Sequence, residues 1–364
     1  MIMQGWDFLV LRSDLHQTKI EPVVLAEPAD GEVLFRVESF SLTANNVTYA
    51  VAGDQIGYWR FFPKPDGWGC IPAWGYGVVE ASANPDFTEG ERFYGYWPMA
   101  SHLLASPRRS RAGFVDEAPC RADLPPTYNQ YVTAPADAPL QDQRSLLNPL
   151  FMTSFLIDDL LGDNGDFGAK TVILASASSR TSMGLAWLLK LSGRVKVLGL
   201  TSPGNRAFVE SLGYYDQVVL YDDLATAPVE TPAVLVDFAG DPAVRAAVHG
   251  RFKDELAYSC LVGITHWEAR SGPGDLPGPK PVFFFAPDRV VKRRQDWGPR
   301  AGRPLRRGLG WLRRRHAALA DAEDPLRRGG CEDHLPQGAG RQGALERRPH
   351  LPSRMMACQM SLTL

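Results

Sequence analysis

The 364-residue sequence predicts an α/β protein in which a β-rich domain precedes a doubly wound parallel sheet. Two changes of pattern carry this prediction. From Lys170 onward, near-continuous apolar strands alternate with helical segments, which is typical of a parallel sheet covered on both faces. Before residue 146, short apolar runs alternate with Gly, Pro and Asp, which favours an all-β barrel or sandwich-like domain.

The predicted domain boundaries follow these changes. Residues 1–145 form the β-rich domain, and residues 146–290 form the α/β domain. A helix predicted over 147–165 connects them, because apolar residues recur there at helical spacing before a Gly/Asn/Asp turn. The strand candidates of the second domain are 171–176, 195–201, 217–221, 233–240, 257–264 and 281–287.

The C-terminal segment, 291–364, has an aberrant composition. Residues 300–364 hold 13 Arg, no Lys and six acids, a net charge of +7, which leaves −9 on residues 1–299. One interpretation is a basic tail that binds nucleic acid or an acidic partner through phosphate contacts. The other is a shifted reading frame near Trp297–Arg300, since a GC-rich message read out of frame yields Arg, Gly, Ala and Pro. The tail lacks interleaved aromatics, so we favour the shift and do not expect a nucleic-acid partner.

Composition narrows the class of protein. A content of 45% hydrophobic and 22% charged residues is typical of globular proteins, and no apolar run approaches the roughly 18–20 residues of a membrane span. Five dispersed cysteines without a C-x-x-C pair favour a reducing compartment and argue against structural zinc. We expect a cytoplasmic protein without a signal peptide that acts on a small-molecule substrate, with a homodimer as one open oligomeric state.

The first strand-to-helix turn of the second domain lacks the usual glycines. In a dinucleotide-binding turn, glycines allow a tight bend and close approach to the pyrophosphate, which lies at the helix N-terminus. Here Ser176, Arg180 and Ser182 occupy the places usually given to Gly. Either the turn binds phosphate through hydroxyls and a guanidinium, or one hydroxyl caps the helix and the arginine lies in solvent. The candidate phosphate ligands are Ser178, Ser179, Arg180 and Thr181.

The end of the second strand favours NADP(H) over NAD(H). An acid there would bind the ribose hydroxyls of NAD, but none occurs before Glu210. Thr201 and Ser202, followed by Arg206, suit a 2′-phosphate instead. A solvated helix position remains the alternative for Arg206.

The order of β-domain, linker helix and Rossmann-type domain resembles the medium-chain dehydrogenase/reductase superfamily, the quinone-oxidoreductase and alcohol-dehydrogenase relatives. More closely, the chain resembles a bacterial group within it, the domain-of-unknown-function 2855 family. The matching segments are SLTANNVTYAVAGD (41–54), IPAWGYGVVEAS (71–82), FTEGERFYGYWP (87–98), ASASSRTSMGLAWLL (175–189), VLVDFAG (234–240) and FFFAPDRV (283–290). The resemblance implies an N-terminal GroES-like β-barrel and a nicotinamide site in the cleft between the domains.

The resemblance also implies chemistry without zinc. Zinc alcohol dehydrogenases carry a Gly-His-Glu ligand motif where this chain has Trp74-Gly75-Tyr76, and no thiolate cluster follows. The pattern is closer to the zinc-independent reductases, in which the protein positions the nicotinamide and stabilises an enolate-like oxygen.

Polar residues that follow one strand of the β-rich domain are the catalytic candidates. Related reductases place polar active-site groups where this chain has Asn46 and Tyr49, preceded by Asn45, and an amide or phenol there holds a carbonyl oxygen or donates a proton. The alternative is turn-stabilising asparagines and a packed tyrosine. Tyr128-Asn129 is a second such pair. A set of aromatic residues either walls a pocket for a flat substrate or fills the core: Tyr58, Trp59, Phe61, Phe62, Trp68 and Trp74.

Two functions stay open. The first is a zinc-independent, NADP(H)-dependent oxidoreductase of the medium-chain type, acting on a carbonyl or an activated double bond. The second is a non-catalytic Rossmann-fold protein that binds a nucleotide, a metabolite or a partner, which the missing glycines favour.

Overall fold

The structure is a computed structural model that describes residues 3–65, 67–136, 141–263 and 276–297. Within it, Met1–Asp296 forms one compact unit. The Arg-rich segment 300–364 lies outside the described residues, so both interpretations of its composition remain predictions.

The N-terminal half consists of antiparallel strands and two short helices. The helices, α1 (Ala44–Val51) and α2 (Gly53–Ile56), follow the third strand. The strands are β1 (Gln4–Leu11), β2 (Asp14–Val24), β3 (Val33–Phe40), β4 (Trp68–Gly69), β5 (Pro72–Ser82), β6 (Arg92–Pro98), β7 (His102–Ala105), β8 (Pro107–Ser110), β9 (Gly113–Asp116) and β10 (Gln130–Thr133).

These strands build the predicted GroES-like barrel. Seven of them pair in the order β7-β3-β5-β6-β10-β9-β8, and β2-β1-β4 form a smaller sheet. A bridge between Asp7 and Ala100, with the Phe8 N–H donating to the Met99 carbonyl at 2.9 Å, joins β1 to the chain after β6. The two sheets are therefore linked into a near-closed β-domain.

Aromatic side chains fill two cores of the barrel. In one, Phe114 stacks on Tyr131 with ring centroids 4.3 Å apart. The other holds four of the six predicted aromatic residues, those of 58–62, with Trp68 and Trp74 packed partly buried against it. Most of this set therefore fills the core, as one of the two interpretations predicted.

The linker helix, α3 (Gln141–Asp163), begins earlier than residue 147 because its polar first turns pack on the barrel. The Tyr76 hydroxyl donates to the Gln141 carbonyl at 3.3 Å, and the Ser41 hydroxyl to the Ser145 carbonyl at 3.1 Å. The predicted domain boundary at residues 145 and 146 falls within this helix.

The second half is the predicted Rossmann-type domain. All strands of its sheet run parallel, in the order β13-β12-β11-β14-β15-β16. The strands are β11 (Thr171–Ala175), β12 (Lys196–Thr201), β13 (Gln217–Leu220), β14 (Ala233–Asp237), β15 (Leu256–Leu261) and β16 (Val282–Phe283). The helices are α4 (Arg180–Ser192), α5 (Arg206–Ser211), α6 (Pro242–Phe252) and α7 (Ala286–Trp297).

The last predicted strand, 281–287, is wrong beyond Phe283. Phe285 leaves the sheet to pack against the barrel core, and α7 begins at the next residue. Two buried arginines of α7 fix that helix to α3 by pairing with the same carboxylate. Arg289 lies 2.6 Å and Arg293 2.8 Å from the Asp159 side chain. The predicted boundary between residues 290 and 291 consequently lies inside α7.

Candidate functional site

Two loops meet at the edge of the parallel sheet where its strands end. β11 and β14 are neighbours at the point where the strand order reverses, and Ala175 pairs there with Asp237. In open α/β sheets, ligands bind at such a switch point, outside the carboxyl ends of the strands. The turn after β11 and the loop after β14 therefore form the candidate site.

Ser176 gives the turn after β11 its shape. Its φ is +59°, a left-handed conformation that residues other than glycine rarely adopt. Its N–H donates to the Tyr221 hydroxyl at 3.1 Å, and the Ala177 N–H donates to the Leu200 carbonyl at 2.9 Å. The chain therefore keeps a glycine-type bend with a serine at the first glycine place.

The N-terminus of α4 follows this bend. Ser179 caps the helix, because its hydroxyl oxygen accepts from the Ser182 N–H at 3.3 Å. Ser178 is half-buried and Arg180 is exposed. The N-terminus of a helix presents N–H groups and the positive end of the helix dipole, which favour an anion.

Two residues of the turn face inward. Thr181 is buried, and its carbonyl accepts from the Ser154 hydroxyl of α3 at 2.7 Å. The buried Ser182 hydroxyl lies 3.2 Å from the Tyr215 hydroxyl, which donates to the Ala177 carbonyl at 2.6 Å. These contacts anchor the turn to the surrounding protein rather than to a ligand.

The end of β12 holds a hydroxyl without a partner. Thr201 is 1% exposed, and its Oγ1 makes no hydrogen bond within the described residues. The Ser202 hydroxyl accepts from the Asn205 amide at 3.2 Å, and Arg206 is exposed and paired with Glu210 at 2.8 Å. A buried hydroxyl without a partner beside the phosphate turn fits the ribose end of a dinucleotide, so the residues present fit this cofactor.

Asp237, at the end of β14, was missed by the sequence analysis. Its carboxylate accepts from the Ala239 and Gly240 N–H groups at 3.1 and 2.8 Å and from the Arg245 guanidinium at 3.3 Å. Burial raises the pKa of Asp237, and these donors oppose that rise. The sequence did contain a signal for this residue, namely an acid at the end of the apolar run AVLVD.

Tyr221 was also missed. It follows β13, and its hydroxyl reaches the Ser176 N–H across β12. Nothing in the local sequence links two residues 45 positions apart.

Asn46 is held by the backbone around it. Its side-chain oxygen accepts from the Thr43 N–H at 2.7 Å and completes a capping box at the start of α1, while its amide nitrogen donates to the Pro72 carbonyl at 2.9 Å. The amide thereby fixes α1 to β5.

Tyr49, one turn later on α1, is buried among aromatic rings. Its ring centroid lies 4.8 Å from that of Tyr58 and 5.6 Å from that of Tyr96. Burial raises the pKa of Tyr49 to about 12, opposed by the side chains of Trp74, Asn45 and Tyr96. Tyr49 is therefore a neutral donor at ordinary pH.

The structure thus gathers the predicted nucleotide residues on neighbouring strand ends and both catalytic candidates on one barrel helix. The second polar pair is buried: the Tyr128 hydroxyl lies 3.3 Å from that of Tyr58, and the Asn129 amide donates to the Arg121 carbonyl at 3.3 Å.

Across the described ranges, no three His, Cys, Asp or Glu side chains are placed to hold a metal ion. No helix among the described residues is both long and apolar enough to cross a membrane.

Solved structures share this two-domain fold. CurA from Vibrio vulnificus superposes with a TM-score of 0.57 at 17% identity, over 86% of this chain and 88% of that one. A protein from Mesorhizobium loti, provisionally described as an NADPH:quinone reductase, gives 0.56 at 13% identity, over 86% and 91%. CurA in complex with NADPH gives 0.54 at 15% identity, over 85% and 88%.

No curated protein matches the sequence. The family described as "Protein of unknown function (DUF2855)" matches residues 40–307, from the end of β3 to just beyond the change in composition. The match covers most of both structural halves, and the chain therefore belongs to the DUF2855 family, with the fold of the medium-chain dehydrogenases and reductases.

Proposed function

We propose that the chain is a zinc-independent, NADP(H)-dependent reductase acting on a carbonyl or an activated double bond. The observation that carries this proposal is the left-handed Ser176 at the switch point of the sheet, between a helix N-terminus and the unpartnered Thr201 hydroxyl. Backbone strain of this kind often occurs at ligand sites. The shared fold with an NADPH complex supports the choice of cofactor.

The proposed cofactor contacts follow the positions of the candidate residues. Ser178, Ser179 and Arg180 bind the pyrophosphate at the start of α4. The adenosine ribose and its 2′-phosphate lie at the end of β12, with Thr201, Ser202 and Arg206. Thr181 supports the turn from inside.

The barrel residues act on the substrate. A bound reduced nicotinamide would supply hydride, and addition of that hydride to an enone would place negative charge on the carbonyl oxygen. The neutral Tyr49 phenol donates a hydrogen bond to that oxygen, and Asn46 holds α1 so that Tyr49 stays in place. A proton from water completes the reduction of the double bond.

Thermal unfolding of the full chain with NADPH, NADH or neither tests the proposal. Binding raises the melting temperature, and we expect NADPH to raise it more than NADH does. Arg206→Glu should abolish this preference, whereas Arg108→Glu, an exposed arginine of the barrel, should preserve it. Equal melting temperatures under all three conditions would contradict the proposal. If NADPH raises the melting temperature, its oxidation is next measured with enones, quinones and aldehydes.

One observation favours the non-catalytic alternative. The Ser176 N–H and the Arg206 guanidinium, which a dinucleotide would use, already have partners in Tyr221 and Glu210. NADPH binding without oxidation across the substrate panel would support that alternative, and steady NADPH oxidation would exclude it.

A further inference from the structure

The helix α3, which connects the two halves of the molecule, contains a proline in its interior, Pro149. Proline has no backbone N–H, so the carbonyl four residues earlier, that of Ser145, loses its usual helix donor. The proline ring also crowds the preceding turn of the helix. Sharp bends in helices occur mostly at such positions, so α3 has a weak point at Pro149.

A serine of the barrel replaces the missing donor. Ser41, directly after β3, donates its hydroxyl hydrogen to the Ser145 carbonyl at 3.1 Å. The same hydroxyl lies 3.1 Å from the Trp74 carbonyl, but that carbonyl already accepts the Ser41 N–H at 2.8 Å. The hydroxyl hydrogen is therefore needed at Ser145, and the contact ties the weak point of the helix to the barrel.

A second hydroxyl acts on the other side of the proline. Thr153 donates to the Pro149 carbonyl at 3.1 Å within the same helix. A bond from Ser or Thr to the carbonyl four residues earlier often bends a helix. Residues 145–153, which we call the hinge segment, therefore combine a missing backbone donor, a borrowed donor and a helix-bending side chain.

The part of α3 before the proline contacts the barrel. The Gln141 carbonyl accepts from the Tyr76 hydroxyl of β5 at 3.3 Å. The Asn148 side chain hydrogen-bonds to that of Tyr94 on β6. Together with the contact at Ser145, these bonds attach the first turns of α3 to the barrel strands.

The part of α3 after the proline contacts the Rossmann-type domain. The Ser154 hydroxyl donates to the Thr181 carbonyl at 2.7 Å, and the Phe151 and Trp187 ring centroids lie 6.0 Å apart. Further along, Asp159 pairs with both buried arginines of α7. The contacts of α3 thus change from one half of the molecule to the other at the proline.

We infer that α3 is a hinge at Pro149 and that the contact between Ser41 and Ser145 is its latch. A single neutral hydrogen bond is weak enough to open and close. When it opens, the part of α3 after Pro149 moves with the turn after β11, to which Ser154 ties it through Thr181. The inference concerns contacts between the two halves and does not depend on the proposed reductase activity.

A double-mutant cycle on the full chain, without any nucleotide, tests the latch. In the wild type, Ser41→Ala leaves the Ser145 carbonyl without its donor, so the melting temperature should fall by about 3 °C. In Pro149→Ala the new N–H supplies that carbonyl, so adding Ser41→Ala should then lower the melting temperature by less than about 1 °C. Ser41→Thr keeps the hydroxyl and should behave like the wild type.

Hydrogen exchange followed by mass spectrometry tests the motion. Exchange in the hinge segment should be at least about threefold faster in Ser41→Ala than in the wild type, and at least about threefold slower in Pro149→Ala, whose helix is uninterrupted. Pro242→Ala is the matched control for the second change. Pro242 is the first residue of α6, where the missing N–H costs nothing, so exchange in the hinge segment should stay unchanged.

Equal effects of Ser41→Ala in the two backgrounds would overturn the latch. Exchange in the hinge segment that neither Ser41→Ala nor Pro149→Ala changes would overturn the hinge. If Pro149→Ala does not fold, Ser41→Ala and Ser41→Thr decide between the outcomes, and equal exchange in these two would contradict the inference. Because no nucleotide is present, a failure here leaves the proposed function to its own test.

Discussion

The turn after β11 and the aromatic core of the barrel differ in how their polar groups are satisfied. In the turn, Ser176, Ser179 and Ser182 all have partners within the protein, so its shape is fixed before any ligand arrives. In the barrel, the polar ends of the aromatic side chains meet one another, as at Tyr49, which the side chains of Trp74, Asn45 and Tyr96 contact. The comparison teaches that contacts between different strands shape the turn, whereas contacts among neighbouring aromatic side chains hold the barrel core.

Removing the Asp237 carboxylate, beside the turn after β11, should have the largest effect on stability. Asp237→Ala removes a buried carboxylate that accepts from the part-buried Ala239 and Gly240 N–H groups and pairs with Arg245, so we expect the free energy of unfolding to fall by about 3 kcal/mol. Urea denaturation at neutral pH measures this.

Asp241→Ala is the control for that change. Asp241 caps α6 through the Ala243 and Val244 N–H groups at an exposed position, so its loss should cost about 1 kcal/mol. If Asp237→Ala cost no more than this, the loop after β14 would not be held by its carboxylate.

Alkaline pH should destabilise the barrel through Tyr49. Its folded pKa of about 12 exceeds the ordinary value of about 10, so its contribution to stability is present below pH 10 and is lost as pH rises toward 12. Between these values the wild type should lose about 2.5 kcal/mol more than Tyr49→Phe. Denaturant titrations at a series of pH values measure the free energy of unfolding. Between pH 8 and 9 this free energy should change with pH equally in the two proteins. An equal change above pH 10 as well would contradict the burial of this phenol.

Tyr221→Phe separates shape from binding in the turn. It removes the acceptor of the Ser176 N–H and should cost about 1 kcal/mol of stability. The freed N–H then becomes available to phosphate, and we expect NADPH affinity, measured by calorimetry, to rise about fivefold. An unchanged affinity, with Tyr214→Phe as the control, would show that the Ser176 N–H does not contact the cofactor.

Ser176→Gly should have the smallest effect, and a favourable one. Glycine adopts φ +59° without steric cost, but it loses more freedom on folding, so the net gain should be about 0.5 kcal/mol. Ser178→Gly, in the same turn but without a positive φ, should instead destabilise. Equal denaturation midpoints for the two variants would argue against strain at Ser176.

Local pattern was sufficient for the parallel sheet, because buried strands such as β11 and β14 are apolar over most of their length. It failed where tertiary contacts end an element: the run at 281–287 stops as a strand because Phe285 packs on the barrel. At the site, the position of the turn was predictable from its neighbouring strand and helix. The partner of Ser176 was not, since Tyr221 reaches it across another strand.

By itself, the sequence determined the two-domain α/β class, the position of the turn after β11 and the absence of an acid from Thr201 to Val209, since apolar periodicity and residue type are local properties. Tertiary structure decided that Ser176 takes the glycine conformation, that Asp237 stands beside Ala175, and that Trp74 lies opposite Tyr96 and Tyr76 opposite Tyr94 across β5 and β6. Those facts depend on strand register and on contacts between distant residues, which no local pattern encodes.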